Sequence, residues 1–92
     1  MVPVLPPVHP GEILREEYLG PLGISAGALA RKVGVPRTRI ERLAAEATPV
    51  TPDTALRLAK ALNTTPQLWM NLQTSYDLKI EAERLAKEIA AI

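Results

Sequence analysis

Residues 25–43 read SAGALARKVGVPRTRIERL, and the spacing inside this stretch decides the fold. Ala30 stands four residues before Gly34, Ile40 six after it, and Leu43 nine after it. Two helices that cross closely need a small residue at the crossing, which Ala30 supplies. The turn between them needs a residue that tolerates left-handed backbone, which Gly34 supplies. The second helix needs an apolar inner face, which Ile40 and Leu43 supply. That is the spacing of a helix-turn-helix. Arg37, Thr38, Arg39, Glu41 and Arg42 are left facing outward on the second helix. Such side chains can read base edges and grip phosphates in duplex DNA.

Charge follows the same map. Residues 25–45 hold Arg31, Lys32, Arg37, Arg39 and Arg42 against Glu41 alone, although the whole chain of 92 residues carries a net charge of only +1. Residues 1–24 are net acidic through Glu12, Glu16 and Glu17, and the last sixteen residues are slightly acidic. A positive patch confined to one motif favours a polyanion there. The plainer reading of the patch is a solvated basic face.

Ninety-two residues make one domain with a modest core. With no cysteine, disulfides and thiolate zinc sites are excluded. One histidine leaves no set of ligands for a dedicated metal site, and no cofactor is expected. No apolar run approaches the ~18 residues of a membrane helix. The start, MVPVLPPV, lacks a basic segment and is broken by Pro3, Pro6 and Pro7, so it does not read as a secretory signal. The expectation is a cytoplasmic protein without a membrane partner.

Helix signals punctuate the rest of the chain. Residues 1–9 form a proline-rich extended arm. His9 caps a first helix that Pro10 opens, with Glu12 in its first turn and Ile13, Leu14 and Leu19 on its apolar stripe. Gly20, Pro21 and Gly23 end it. Ser25 caps the second helix, which runs to about Val33. Pro36 opens the third, which ends near Ala45. Thr51-Pro52-Asp53 and Thr65-Pro66 are start signals of one kind, a capping hydroxyl followed by proline. They open a fourth helix, with Ala55, Leu58, Ala59 and Leu62 inward, and a fifth, with Leu68, Trp69, Leu72 and Tyr76 inward. No segment alternates as a strand. The domain proper spans residues 10–76. Residues 77–92 form a helical extension with Leu78, Ala82, Leu85, Ile89 and Ile92 at heptad-like spacing. This seam suits either a dimer contact or packing on its own domain. A dimer would bring two copies to half-sites about 34 Å apart.

Catalysis finds no support. His9 has no evident partner, Glu16 and Glu17 splay apart on a helix, and Ser25 and Thr65 are explained as caps. Tyr18, Trp69 and Tyr76 lie in apolar helical patterns, which argues against stacking platforms for single-stranded RNA.

Four segments, HPGEILREEYLGPLGIS, ALARKVGVPRTRI, TPDTALRLAKAL and WMNLQTSYDLKI, resemble the HigA/VapI-type antitoxins of bacterial toxin–antitoxin pairs. These belong to the Cro/repressor-like helix-turn-helix group, and the resemblance covers about residues 8–80. It implies an all-α, five-helix, lambda-repressor-like bundle. It also implies a non-enzymatic repressor of its own operon that neutralises a small HigB-like ribonuclease toxin, binds double-stranded operator DNA and forms a homodimer. Carried over residue by residue, it puts Arg37, Thr38 and Arg42 at base edges and Arg39 toward the DNA backbone. Ser25 and Lys32 complete the expected DNA-contacting set. For Arg42 the alternative is an intrahelical pair with Glu46. Two departures stand out. Ala26 occupies a position where many relatives carry a phosphate-gripping glutamine. The loop after the recognition helix, residues 45–49, is neither basic nor glycine-containing. A stand-alone regulator, or an interaction module with weakened DNA binding, is the alternative.

Overall fold

Six helices and no strands make up residues 7–92, the part of the chain that this computed structural model describes. The rest of the expected arm, residues 1–6, lies outside it. The first helix, α1, has three segments: α-helical Pro10–Ile13, π-helical Leu14–Leu19 and α-helical Gly20–Leu22. It is followed by α2 (Ala26–Val33), α3 (Arg37–Ala44), α4 (Pro52–Leu62), α5 (Pro66–Arg84) and α6 (Ala86–Ala90).

Local chemistry sets most boundaries. The Ala28 N–H donates to Ser25 Oγ at 3.0 Å, Thr54 to Thr51 Oγ1 at 3.4 Å and Leu68 to Thr65 Oγ1 at 3.1 Å, which caps α2, α4 and α5 as expected. Gly34 sits at φ 76°, and both its N–H and that of Val35 donate to the Ala30 carbonyl, at 2.9 and 3.0 Å. That arrangement closes α2 and turns the chain into α3. The α1 cap differs in one respect from the sequence expectation. His9 does cap, its Nδ1 accepting the Gly11 N–H at 2.9 Å, but the ring is buried against Tyr76 rather than lying in an exposed arm. The π segment was not expected. Its wide turn lets the Gly20 N–H reach the Arg15 carbonyl. It also accommodates Pro21, which has no N–H and crowds the carbonyl four residues back in a regular helix.

The core forms where α1 to α5 meet. Leu14, Leu29, Ile40, Leu43, Leu58 and Trp69 are essentially inaccessible, and Ala30 lies buried at the crossing of α2 and α3. Trp69 is the largest of these side chains. Its Nε1 donates to Thr64 Oγ1 at 2.8 Å, and the Tyr18 ring packs on it at 5.5 Å. The indole is thus buried with its one polar group satisfied, and truncating such a residue costs about 3–5 kcal/mol.

One contact fixes the recognition helix against α1. A Cβ built on Gly11 falls 1.8 Å from the Leu43 carbonyl oxygen. Only a bare α-carbon allows the start of α1 to lie this close to the end of α3.

Helix α5 passes position 76/77 unbroken and runs to Arg84. The described chain measures 48 × 23 × 21 Å, with a radius of gyration of 15.0 Å. A compact chain of this length comes to about 12 Å. Leu78 is 65% exposed and Ile89 52%. The tail seam is therefore open to solvent and does not pack on its own domain.

Candidate nucleic-acid interface

Helix α3 presents one buried face and one charged face, as its spacing requires. Ile40 and Leu43 point inward, while Arg37, Thr38, Arg39, Glu41 and Arg42 are exposed. Thr38, Arg39 and Arg42 line one open groove of about 550 Å³ together with Thr48, Thr51 and Asp53. Arg37 stands on the neighbouring flank, its Nε 3.5 Å from Glu41 Oε1 one turn along the helix. Its stem lies over Gly27 of α2.

The other two expected residues sit apart from the groove. Ser25 is an exposed cap at the start of α2. Lys32, near the end of the same helix, borders a separate hollow with Leu56 and Lys60. The basic residues expected to meet DNA thus fall in two places, the α3 face and the α2–α4 hollow.

Arg39 and Arg42 differ in their freedom. Arg39 is paired with Asp53 of α4. Asp53 is held in turn by Arg57, whose Nε lies 3.2 Å from its carboxylate, and the Arg57 Nη1 donates to the Val33 carbonyl at 2.6 Å. The chain Val33–Arg57–Asp53–Arg39 therefore ties α2, α4 and α3 together. Arg57 first, and Arg39 second, hold the Asp53 carboxyl below its ordinary value. Arg42 has no ion pair among the described residues. Its sequence candidate, Glu46, turns instead to Arg15 of α1, with Nη2 to Oε2 at 3.2 Å.

Arg15 reshapes the loop that follows the recognition helix. It donates to the Ala44 carbonyl at the end of α3 and pairs with both Glu16 and Glu46. Glu46 adopts φ 63°, a left-handed conformation that favours glycine. The Ala47 N–H donates to the Arg42 carbonyl at 2.9 Å, which completes the helix end. Further along, the Val50 N–H donates to the buried Gln73 Oε1 at 2.7 Å, and Gln73 Nε2 donates to Asp77 at 2.9 Å. The loop is therefore fixed from two sides, by Arg15 and by Gln73. Glu46 shares the Arg15 guanidinium with Glu16.

Sequence reasoning did not reach Arg15, Asp53, Arg57 or Gln73 as partners of the site. The Asp53–Arg57 pair was readable as an i,i+4 spacing. The links from Arg15 to Ala44 and from Asp53 to Arg39 join separate helices, and no local pattern marks them.

Comparison with known proteins starts from the motif itself. The helix-turn-helix family model matches residues 14–69, from the first buried leucine of α1 to Trp69. Antitoxin HigA-1 of Vibrio cholerae is 39% identical over 82 residues, which cover 89% of this chain and 77% of that protein. The chain belongs to the HigA-type antitoxin family. Another relative, virulence-associated protein I of Dichelobacter nodosus, is 51% identical over 76 residues, covering 83% of this chain and 70% of that one. Among solved structures, antitoxin GraA in complex with its operator superposes with a TM-score of 0.89 at 43% identity, covering 99% of this chain and 92% of that one. As in the HigA-type fold expected from the sequence, every secondary-structure element among the described residues is a helix, and none of these helices is long and apolar enough to cross a membrane. Against the family pattern, the two departures now have structural content. Ala26 leaves the start of α2 without a long polar side chain, and Glu46 carries a left-handed turn that glycine would take without strain.

Proposed function

We propose that this HigA-type protein is an antitoxin that represses its own toxin–antitoxin operon and neutralises a cognate HigB-like, mRNA-cleaving toxin in the cytoplasm. The observation that carries the operator half of this reading is the outward face of α3. Arg37, Thr38 and Arg42 are exposed on one helix whose angle is fixed by buried Ile40, Leu43 and Ala30. Arginine forks match the acceptors of guanine in the major groove, and threonine can meet a thymine methyl or a phosphate. Arg39 meets the DNA backbone, and Ser25 and Lys32 add phosphate contacts from outside the α3 groove. The relative solved with its operator supports operator binding by this fold. Toxin neutralisation rests on family membership.

The open seam of the tail supports a homodimer, which places two copies of α3 on two half-sites. No cofactor or catalytic step is required.

A mobility-shift assay on the DNA upstream of the chain's own gene, with and without the toxin, tests the reading. Arg37→Ala is expected to cost about 1–3 kcal/mol of operator binding and to leave the fold intact. Unchanged binding refutes the recognition-helix assignment. Added toxin is expected to tighten operator binding at fixed salt, because Ala26 and residues 45–49 provide few phosphate contacts of their own. One observation favours a second reading, an interaction module with weak DNA binding: Asp53 occupies Arg39 in the free protein. Failure of the intact protein to shift the operator at low salt decides for that alternative.

A further inference from the structure

A feature of α2 bears on how Arg37 is aimed. Gly27, the second residue of that helix, is buried although it has no side chain to bury. What covers it is the stem of Arg37. A Cβ built on Gly27 lies 3.0 Å from Arg37 Cδ and 3.4 Å from Cγ, and 3.9 Å from Nη1 of Arg31. The contact at Cδ is tighter than nine in ten real contacts of this kind, so an added methyl pushes the flexible stem by a few tenths of an ångström. Gly27 is not among the positive-φ glycines, so an alanine fits the backbone. Turn geometry therefore gives no reason for a glycine here. The helix beneath it is firm, because Ser25 caps its first turn and Leu29 and Ala30 anchor it in the core.

We propose that Gly27 is a specificity-determining positioning residue: its bare α-carbon is the platform on which the Arg37 stem rests, and that platform aims the guanidinium at DNA. The inference builds on the assignment of Arg37 to operator reading made above. An arginine side chain has many rotamers in solution. The Arg37 stem rests across a rigid helix start while its guanidinium stays largely exposed 3.5 Å from Glu41, so the platform narrows the directions open to the stem before DNA arrives. A bidentate contact to a base tolerates only about 0.5 Å of misplacement. Displacing the stem by a few tenths of an ångström uses up most of that tolerance.

The test separates stability from recognition. Gly27→Ala, Arg37→Ala and the double variant are made in the full chain. Each is melted, and each is titrated with the chain's own operator and with a scrambled duplex at fixed salt. Gly27→Ala is expected to raise Tm by about 2–8 °C, since it removes unfolded-state freedom at a compatible position. It is also expected to weaken operator binding about threefold to tenfold, a part of what a whole arginine–base contact is worth. Binding to scrambled DNA stays within twofold. In the Arg37→Ala background, Gly27→Ala changes operator affinity less than twofold, because the side chain that the platform serves is gone. A Gly27→Ala protein that binds operator as tightly as the unaltered one overturns the proposal. So does an equal loss in both backgrounds, which indicates a clash of the methyl with DNA. If Arg37→Ala itself leaves binding unchanged, the operator reading of Arg37 falls and the platform falls with it. If Arg37→Ala weakens binding and Gly27→Ala does not, only the platform falls.

Discussion

Replacing Gly11 by alanine puts a methyl group where the backbone of α3 already is. The new Cβ lies 1.8 Å from the Leu43 carbonyl oxygen and 2.9 Å from the carbonyl carbon. Even a tight contact of 3.0 Å requires the two helices to part by about 1.2 Å. Neither obstructing atom belongs to a side chain, so no rotamer change relieves the clash. Leu43 is fully buried, and its neighbour Ala44 receives the Arg15 bond, so α3 cannot retreat without opening the core. Overpacking of this kind costs about 1–3 kcal/mol, and a backbone clash belongs at the upper end. For a domain of this size, about 3 kcal/mol corresponds to a drop in Tm of roughly 12–24 °C. Thermal melts and urea titrations followed by circular dichroism measure it, with an unchanged urea slope showing that the unfolding remains two-state. Gly27→Ala serves as the internal comparison, because its added methyl meets a flexible side chain and its Tm rises. A Gly11→Ala protein that loses less than about 1 kcal/mol refutes the view that α3 is set by direct backbone contact with α1.

Other expectations follow from the charged network. Glu46→Gly relieves left-handed strain of about 1–2 kcal/mol and loses one exposed pair worth about 0.2–1 kcal/mol, so melting experiments should show a neutral to slightly stabilised protein. A clear loss of stability shows that the Arg15 bridge dominates that turn. Asp53→Asn releases Arg39 for phosphate, and a plot of log affinity against log salt for the operator is expected to steepen by about 0.9. An unchanged slope shows that the pair with Asp53 does not keep Arg39 from the phosphate. The pH dependence has a definite sign. Arg57 and Arg39 hold the Asp53 carboxyl below its ordinary value of 3.8, so the bridge is complete at neutral pH. It is lost as pH falls through that lowered value, and carbon NMR of the Asp53 carboxyl should show the transition below 3.8. Gln73→Leu strips the Val50 N–H of its buried acceptor, with an expected cost of about 1–3 kcal/mol in urea unfolding. A smaller loss shows that water reaches Val50.

The parts of the fold that were legible in the sequence are those governed by neighbours a few residues apart. Ser25, Thr51 and Thr65 cap their helices because a hydroxyl before a helix has a free N–H three residues on. Gly34 marks the turn because few other residues adopt its φ. The inward positions Ala30, Ile40 and Leu43 follow from helical period alone. What was not legible joins distant segments. Arg15 reads as an ordinary surface charge until α1 is laid beside the end of α3, where it meets the Ala44 carbonyl. Asp53 reads as a helix-start acid, which it is, but its grip on Arg39 depends on the angle between α3 and α4. The π segment depends on a proline and a glycine in succession near a helix end, a pattern that sequence periodicity treats as a stop. The capping role of His9 is local and legible, whereas its burial is not, because its cover comes from Tyr76, far along the chain. For the tail, periodicity revealed an apolar seam, and only three-dimensional placement could show that the seam faces away from its own bundle.

The unbroken course of α5 has a mechanical consequence. One end of this rod is embedded in the core through Trp69, and the other carries Leu78 into solvent's reach before α5 ends at Arg84; the turn at Leu85 leads on to α6 and Ile89. No glycine or proline interrupts it between Gln67 and Arg84, so it offers no joint at which the head can swivel. In a paired assembly joined through such rods, the stagger of one tail against the other fixes how far apart, and at what roll, the two reading heads face DNA. A single residue inserted near Lys79 rotates everything beyond it by about 100°, turning the adhesive stripe away while the head stays folded. In an assembly paired through such tails, the distance between the two halves of an operator would follow from the pitch of a helix remote from the recognition face.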